Sequence, residues 1–208
     1  MRILIVFFSL LNICLNIYAQ PSTTDSSLLG VGHIISIKSR YVKDETYIIK
    51  IHLPANFETS GKKYPVLYLL DGDRSYGMAS DLSEWLRSTG EIDQFIIVGI
   101  CYGESVTDRP RRQIRDFTPS RDPTRKEPEY ANAGGAKDFQ LFIQKELMPI
   151  IVERYPTSER TVIVGFEYGA LFSAFILISN SKAFSDYVLI SPLLLWDSQY
   201  LFKIEKAF

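Results

Sequence analysis

Histidine and cysteine are scarce in this chain, and their positions set the first limits. Histidine occurs only at His33 and His52, so every later motif lacks an imidazole of its own. Cysteine occurs only at Cys14 and Cys101. The formal net charge is −1 and no large segment is dominated by Lys and Arg, which argues against a nucleic-acid binder, since such proteins carry a basic surface. Internal repeats and low-complexity segments are also missing. What is present in quantity is apolar residue, 46% of the chain, enough for one globular domain with a substantial core.

The longest apolar run is 3–17, broken by Ser9, Asn12, Cys14 and Asn16. Met1-Arg2 gives it a positive start, and Ala19-Gln20 followed by Pro-Ser-Thr-Thr-Asp-Ser-Ser gives it a small residue before a polar stretch. That is the pattern of a secretory signal peptide over residues 1–19, cut after Ala19. An uncleaved membrane anchor is the alternative, and the run is short and interrupted for that role. Cys14 makes a poor lipoprotein cysteine because bulky Ile13 precedes it. Export to a bacterial periplasm or the exterior is therefore expected, with no stable membrane insertion after cleavage. One domain over 20–208 remains, with Cys101 as its single thiol and no internal disulfide. Cys101 closes the apolar run 95–101, where a packed thiol is the expected state and a nucleophile the alternative.

Two alternating stretches, 32–39 and 46–53, predict an antiparallel pair. Residues 64–70, Tyr-Pro-Val-Leu-Tyr-Leu-Leu, run apolar on both faces into Asp71-Gly72 and predict a buried strand ending in a turn. The pattern then alternates: helix 78–88, strand 95–101, helix 136–155, strand 161–164, helix 169–179 and strand 187–190. Pro149 falls within the long helix and is expected to kink it or tighten its last turns. Strands alternating with helices predict an α/β fold, a mostly parallel sheet with helices on both faces.

Residues 102–135 are long and polar for a connection, and lie after a strand where open α/β sheets place ligands. Arg109, Arg111, Arg112, Arg115, Arg121 and Arg125 are offset there by Asp108, Asp116, Asp122, Glu127 and Glu129. A solvated mixed-charge loop and an anion site both fit that composition.

The stretch TVIVGFEYGALFSAF, 161–175, places an apolar strand, Gly-x-x-x-Gly and a helix in succession. With serine at its centre that frame is the nucleophile elbow of an α/β-hydrolase; here the centre is Glu167. Together with YPVLYLLDGD (64–73), IVGICY (97–102) leading to RDFTP (115–119), GGAKDFQLFIQKELMPIIVERYPT (134–157) and YVLISPLLLW (187–196), it resembles the esterase D type family. That family of secreted or periplasmic α/β-hydrolases includes siderophore esterases, feruloyl esterases and mycolyltransferase antigens. The resemblance covers essentially all of 20–208.

The resemblance implies carboxylic ester hydrolysis by a Ser-Asp-His triad, without metal or cofactor. It places the nucleophile at Glu167 and the backbone oxyanion donors at Asp73 and Tyr168. Asp71, Gly72, Tyr102, Arg115, Phe117 and Trp196 become candidates for the substrate cleft. Two fixed N–H donors there would meet the charge of a tetrahedral intermediate. Three departures oppose the activity. A carboxylate replaces the serine, no histidine follows the elbow, and relatives continue through further strand and helix units that carry the acid and the histidine.

Three readings follow: a truncated or inactive homologue, a binding protein that keeps the cleft for a small ester or an anionic or aromatic ligand, and a hydrolase with an acidic nucleophile. The last is disfavoured because glutamate's extra methylene misplaces the attacking oxygen and a base is still needed. A sheet edge left without those further units is expected to favour self-association.

Overall fold

The computed structural model describes residues 23–24, 32–103, 105 and 107–205; the expected leader, 1–19, lies outside the described residues. Seven strands form a sheet: β1 (Thr23–Thr24), β2 (Gly32–Lys38), β3 (Thr46–His52), β4 (Tyr64–Leu69), β5 (Ile96–Cys101), β6 (Thr157–Phe166) and β7 (Asp186–Ile190), in the order β1-β2-β3-β5-β4-β6-β7. The period-two pattern of the first pair becomes an antiparallel ladder from Gly32↔His52 to Lys38↔Thr46. The continuous apolar stretches become the parallel half, β5-β4-β6-β7, in which every residue of β5 is buried. β3 joins the halves by pairing antiparallel with β5, so the sheet is mixed and its parallel half carries the elbow.

The helices are α1 (Gly72–Ser88), α2 (Arg109–Phe117), α3 (Ala136–Phe142), α4 (Met148–Arg154), α5 (Tyr168–Ser179) and α6 (Trp196–Glu205). The first turn of α6 is kinked by three successive left-handed residues, Asp197, Ser198 and Gln199. Register fixes which helix covers which face, because residues paired across a ladder point the same way. Lys50, Gly99, Leu69, Val164 and Val188 form one such row. A Cβ on Gly99 would lie 2.8 Å from the Tyr76 ring, so α1 covers that face. Gly165 points to the other face, against α5, as does Tyr47, which stacks on Phe142 of α3 at 4.2 Å. There Tyr47, Phe117, Phe139, Phe142 and Phe172 build an aromatic core.

Three expectations need correction. Helix α1 begins at Gly72 rather than at 78, because its first turn is held by backbone bonds to Asp71 and by close packing of Gly72 on β5, neither of which leaves an apolar period. The segment 102–135 is not one loop: it holds α2 and a short 3₁₀ turn, Pro128–Tyr130, and α2 is tied to Glu45 by Arg112 and Arg115 while burying Ile114 and Phe117. Pro149 does not tighten the long helix. The turn before it, Ile143–Leu147, widens into π geometry, which relieves the clash of the proline ring with the carbonyl one turn back.

Candidate active site

The elbow is built by backbone crowding. Strand β6 delivers Glu167 at φ 49°, ψ −108°, and α5 starts at the next residue. A non-glycine residue held there costs of order 1–3 kcal/mol and persists only because its surroundings fix it. Glu167 N–H donates to the Ile190 carbonyl at 3.0 Å, and its own carbonyl accepts from Leu171 N–H at 2.9 Å. A Cβ on Gly165 would sit 2.3 Å from the Gly169 carbonyl, so no side chain fits at 165. A Cβ on Gly169 would meet only side chains, Leu70 at 3.4 Å and 3.5 Å and the Phe117 ring at 3.9 Å. Of the two motif glycines, Gly165 is thus the sterically obligatory one. The Glu167 side chain is exposed.

Strand β4 lies beside β6 and stops two residues short of its end: Leu69 pairs with Val164, and Leu70 N–H donates to the Val164 carbonyl at 3.0 Å. Asp71 then turns left-handed, at φ 54°, ψ 44°, and α1 begins at Gly72. Gly72 is buried so closely on β5 that a Cβ would come 2.8 Å from Cys101 Sγ. The Asp73 carboxylate accepts the N–H groups of Tyr102 at 2.6 Å and Gly103 at 3.2 Å, with Arg109 Nε 3.6 Å away. It therefore ties down the chain leaving β5. The N–H groups of Asp73 and Tyr168 lie in the first turns of α1 and α5, where no intrahelical acceptor is available. Two helix N-termini thus start from adjacent strand ends, an arrangement that favours negative charge between them.

Titration reinforces this division of roles. Burial raises the Asp71 carboxyl above its usual range, against the opposing pull of Arg74. Burial, together with the Asp73 charge, pushes the Cys101 thiol up to about 12, so it is a packed, protonated thiol at neutral pH.

Beside the elbow is a cavity of about 260 Å³ lined by Asp122, Arg125, Tyr168 and the 192–196 segment. Trp196 is buried and fixed by Nε1 donating to the Ser120 carbonyl at 3.1 Å. Its ring stacks on Tyr130 and meets Tyr168 edge-on. The Tyr130 and Tyr168 hydroxyls lie 3.3 Å apart, and the Arg125 guanidinium sits 5.4 Å above the Tyr130 ring. Arg125 is one of the six arginines that the sequence offers for an anion site, whereas Tyr130 is not among its candidates; an aromatic residue isolated in a charged stretch is the available signal.

Of the remaining cleft candidates, Phe117 is interior, while Tyr102 and Arg115 line a cavity of about 630 Å³ together with Glu45, Arg111 and Arg112. Tyr102 is buried, and its hydroxyl donates to Asp116 at 3.0 Å beside that of Tyr47 at 2.7 Å. Arg115 donates to Asp116 through Nε at 2.6 Å and reaches Glu45 at 2.7 Å; Arg112 pairs with the other Glu45 oxygen. Neither arginine is a free cation on a solvated loop. Burial raises the Asp116 carboxyl above its usual range, although Arg115 and the two phenols favour its charged form.

Both histidines sit at the opposite end of the sheet. His52 pairs with Ile97 near the start of β5, and His33 pairs with Ile51 beside it, whereas Glu167 follows the end of β6. Their partners are Glu84 and Tyr155 respectively. No described histidine stands at the elbow.

Comparison with known proteins places this geometry. A family model described as putative esterase matches residues 40–207. The ferri-bacillibactin esterase BesA of Bacillus subtilis (strain 168) is 30% identical over 206 residues, covering 88% of this chain and 68% of BesA. The crystal structure of the BES protein from Bacillus cereus has a TM-score of 0.74 at 25% identity, over 89% of this chain and 70% of that one. An IroE-like serine hydrolase from Shewanella oneidensis has a TM-score of 0.73 at 29% identity, over 90% of this chain and 55% of that one.

Proposed function

The chain belongs to this esterase family, and from that premise we propose that its cleft keeps the ester-holding half of a siderophore-esterase type site without the group that attacks. The observation that carries the reading is Glu167 at the elbow, in the strained backbone position from which serine would act. A carboxylate attacking an ester carbonyl forms an anhydride, a more reactive acyl compound than the ester, so the step runs uphill. It also lacks the alkoxide-like oxygen that an adjacent imidazole generates. Asp73 and Tyr168 N–H groups serve in this reading as oxyanion donors, holding a carbonyl oxygen without turnover.

The test uses p-nitrophenyl acetate and a fluorophosphonate probe on the purified 208-residue chain. Wild type is expected to release p-nitrophenol no faster than Glu167→Gln and to take up no probe at position 167. Glu167→Ser alone is expected to remain inactive, because both histidines lie at the far end of the sheet. Turnover by Glu167→Ser, or a wild-type rate abolished in Glu167→Gln, would overturn the reading.

The cavity beside the elbow favours a second reading, retention of a small ester or an anionic or aromatic ligand by Arg125, Tyr168 and Trp196. Saturable binding of the same ester in calorimetric titration, without product release, distinguishes it. Export belongs to the same proposal, and a secreted chain beginning at Gln20 is its check.

A further inference from the structure

The elbow places an exposed carboxylate next to backbone donors that have no acceptor. Tyr168 N–H, at the start of α5, follows Glu167 directly, and Asp73 N–H stands in the first turn of α1, on the neighbouring strand end. Neither donates to a described residue. Each lies where the helix macrodipole adds positive character, so an anionic oxygen between them is favoured. Glu167 is exposed, and the rotamers of an exposed side chain exchange in picoseconds to nanoseconds.

Covalent structure decides what that carboxylate reaches. An ester formed on a serine at the elbow runs Cβ, Oγ, acyl carbon, carbonyl oxygen, and its carbonyl oxygen lies in the oxyanion hole. Glutamate at the same position runs Cβ, Cγ, Cδ, Oε1, with the same number of bonds and the same trigonal carbon. Glu167 therefore has the shape of an acylated serine, with Oε1 on the carbonyl oxygen and Oε2 in place of the acyl substituent. A carboxylate is also charged, and a charge-assisted hydrogen bond is about twice as strong as a neutral one. Aspartate is one atom too short, since its oxygens reach only the level of the acyl carbon.

We infer that Glu167 is a built-in occupant of the oxyanion site: its carboxylate turns onto the Asp73 and Tyr168 N–H groups and holds them when no ester is bound. The inference rests on the oxyanion reading of those two groups and adds what competes there. An ester carbonyl, or any small carboxylate, must displace Glu167 to enter. The competitor is tethered within its own residue, so its effective concentration lies above the millimolar range that short flexible linkers give. A carboxylate left in solvent would also weaken anion binding by repulsion, but that effect follows charge and not side-chain length.

The test is an acetate titration of the isotope-labelled 208-residue chain, followed by amide NMR, in wild type, Glu167→Ala, Glu167→Asp and Glu167→Gln. The remaining amides of each variant report its fold. Acetate is expected to move the Asp73 and Tyr168 resonances of Glu167→Ala and Glu167→Asp, and to bind wild type and Glu167→Gln at least about tenfold more weakly. Glutamine keeps the length and offers the donors an amide oxygen, so the site stays closed without a charge. Charge repulsion predicts the reverse order, with Glu167→Gln open and Glu167→Asp closed. That order, or equal acetate affinity in wild type and Glu167→Ala, overturns the inference and leaves the oxyanion reading standing. Acetate that moves neither resonance in Glu167→Ala overturns both.

Discussion

Replacing each elbow glycine by alanine separates the one the fold needs from the one it tolerates. In Gly165→Ala the new Cβ would come 2.3 Å from the Gly169 carbonyl carbon and oxygen and 2.6 Å from Ala170 N. Carbon contacts are comfortable at about 3.5–4.0 Å, so β6 and the start of α5 must separate by roughly an ångström. Overpacking typically costs 1–3 kcal/mol. Here backbone stands on both sides and no side chain can turn aside, which sets the expected loss near 3 kcal/mol, the top of that range. For a domain of this size each kcal/mol moves Tm by about 2–4 °C, giving a fall of about 6–12 °C. In Gly169→Ala the nearest atoms are Leu70 Cβ at 3.4 Å and Cδ1 at 3.5 Å, an ordinary contact. Alanine also gains up to about 1 kcal/mol of helix propensity there, less in a first turn, so Tm should stay within a few degrees of wild type. Calorimetric melts of the three proteins, run side by side, decide the matter. Equal losses for the two variants, or a Gly165→Ala melt that coincides with wild type, would refute the steric reasoning.

The other predictions concern charge, chemistry and export. Burial raises the Asp71 carboxyl in the folded state, so its contribution is fully present below the unfolded carboxylate pKa and is lost as pH rises through the folded value. Asp71→Asn, which tolerates the left-handed backbone, should therefore remove a component of wild-type Tm that declines with rising pH from the ordinary carboxylate range upward; a steeper decline in the variant contradicts this. Glu167→Ser should yield no ester turnover, and the secreted chain should begin at Gln20.

Elements whose residues report their own burial were legible in the sequence. The alternating β2 and β3 and the continuous β4 and β5 fall within a residue or two of expectation. Helix α2 was not, because its buried positions include Asp116 and its anchors are Arg112 and Arg115, whose partner Glu45 lies 67 and 70 residues away. A charged helix held by distant carboxylates reads locally as a solvated loop. The elbow was legible because Gly165 and the strand-to-helix change are encoded side by side. The cavity wall was not, since Tyr130, Tyr168 and Trp196 meet only once three separate segments converge. Tyr102 and Phe117 show the converse error: they follow strand and motif signals but point into the aromatic core.

The crowding at Gly165 also bears on how such a protein can change over time. The sharp turn is imposed by Gly165 and the close approach of α5, while residue 167 contributes an exposed side chain to a backbone shape it does not create. Among non-glycine residues the turn is accordingly indifferent to which side chain it carries. Selection on folding alone therefore does not specify which side chain stands at position 167. The backbone shape of the elbow and the chemistry of the side chain it presents are thus set by different positions.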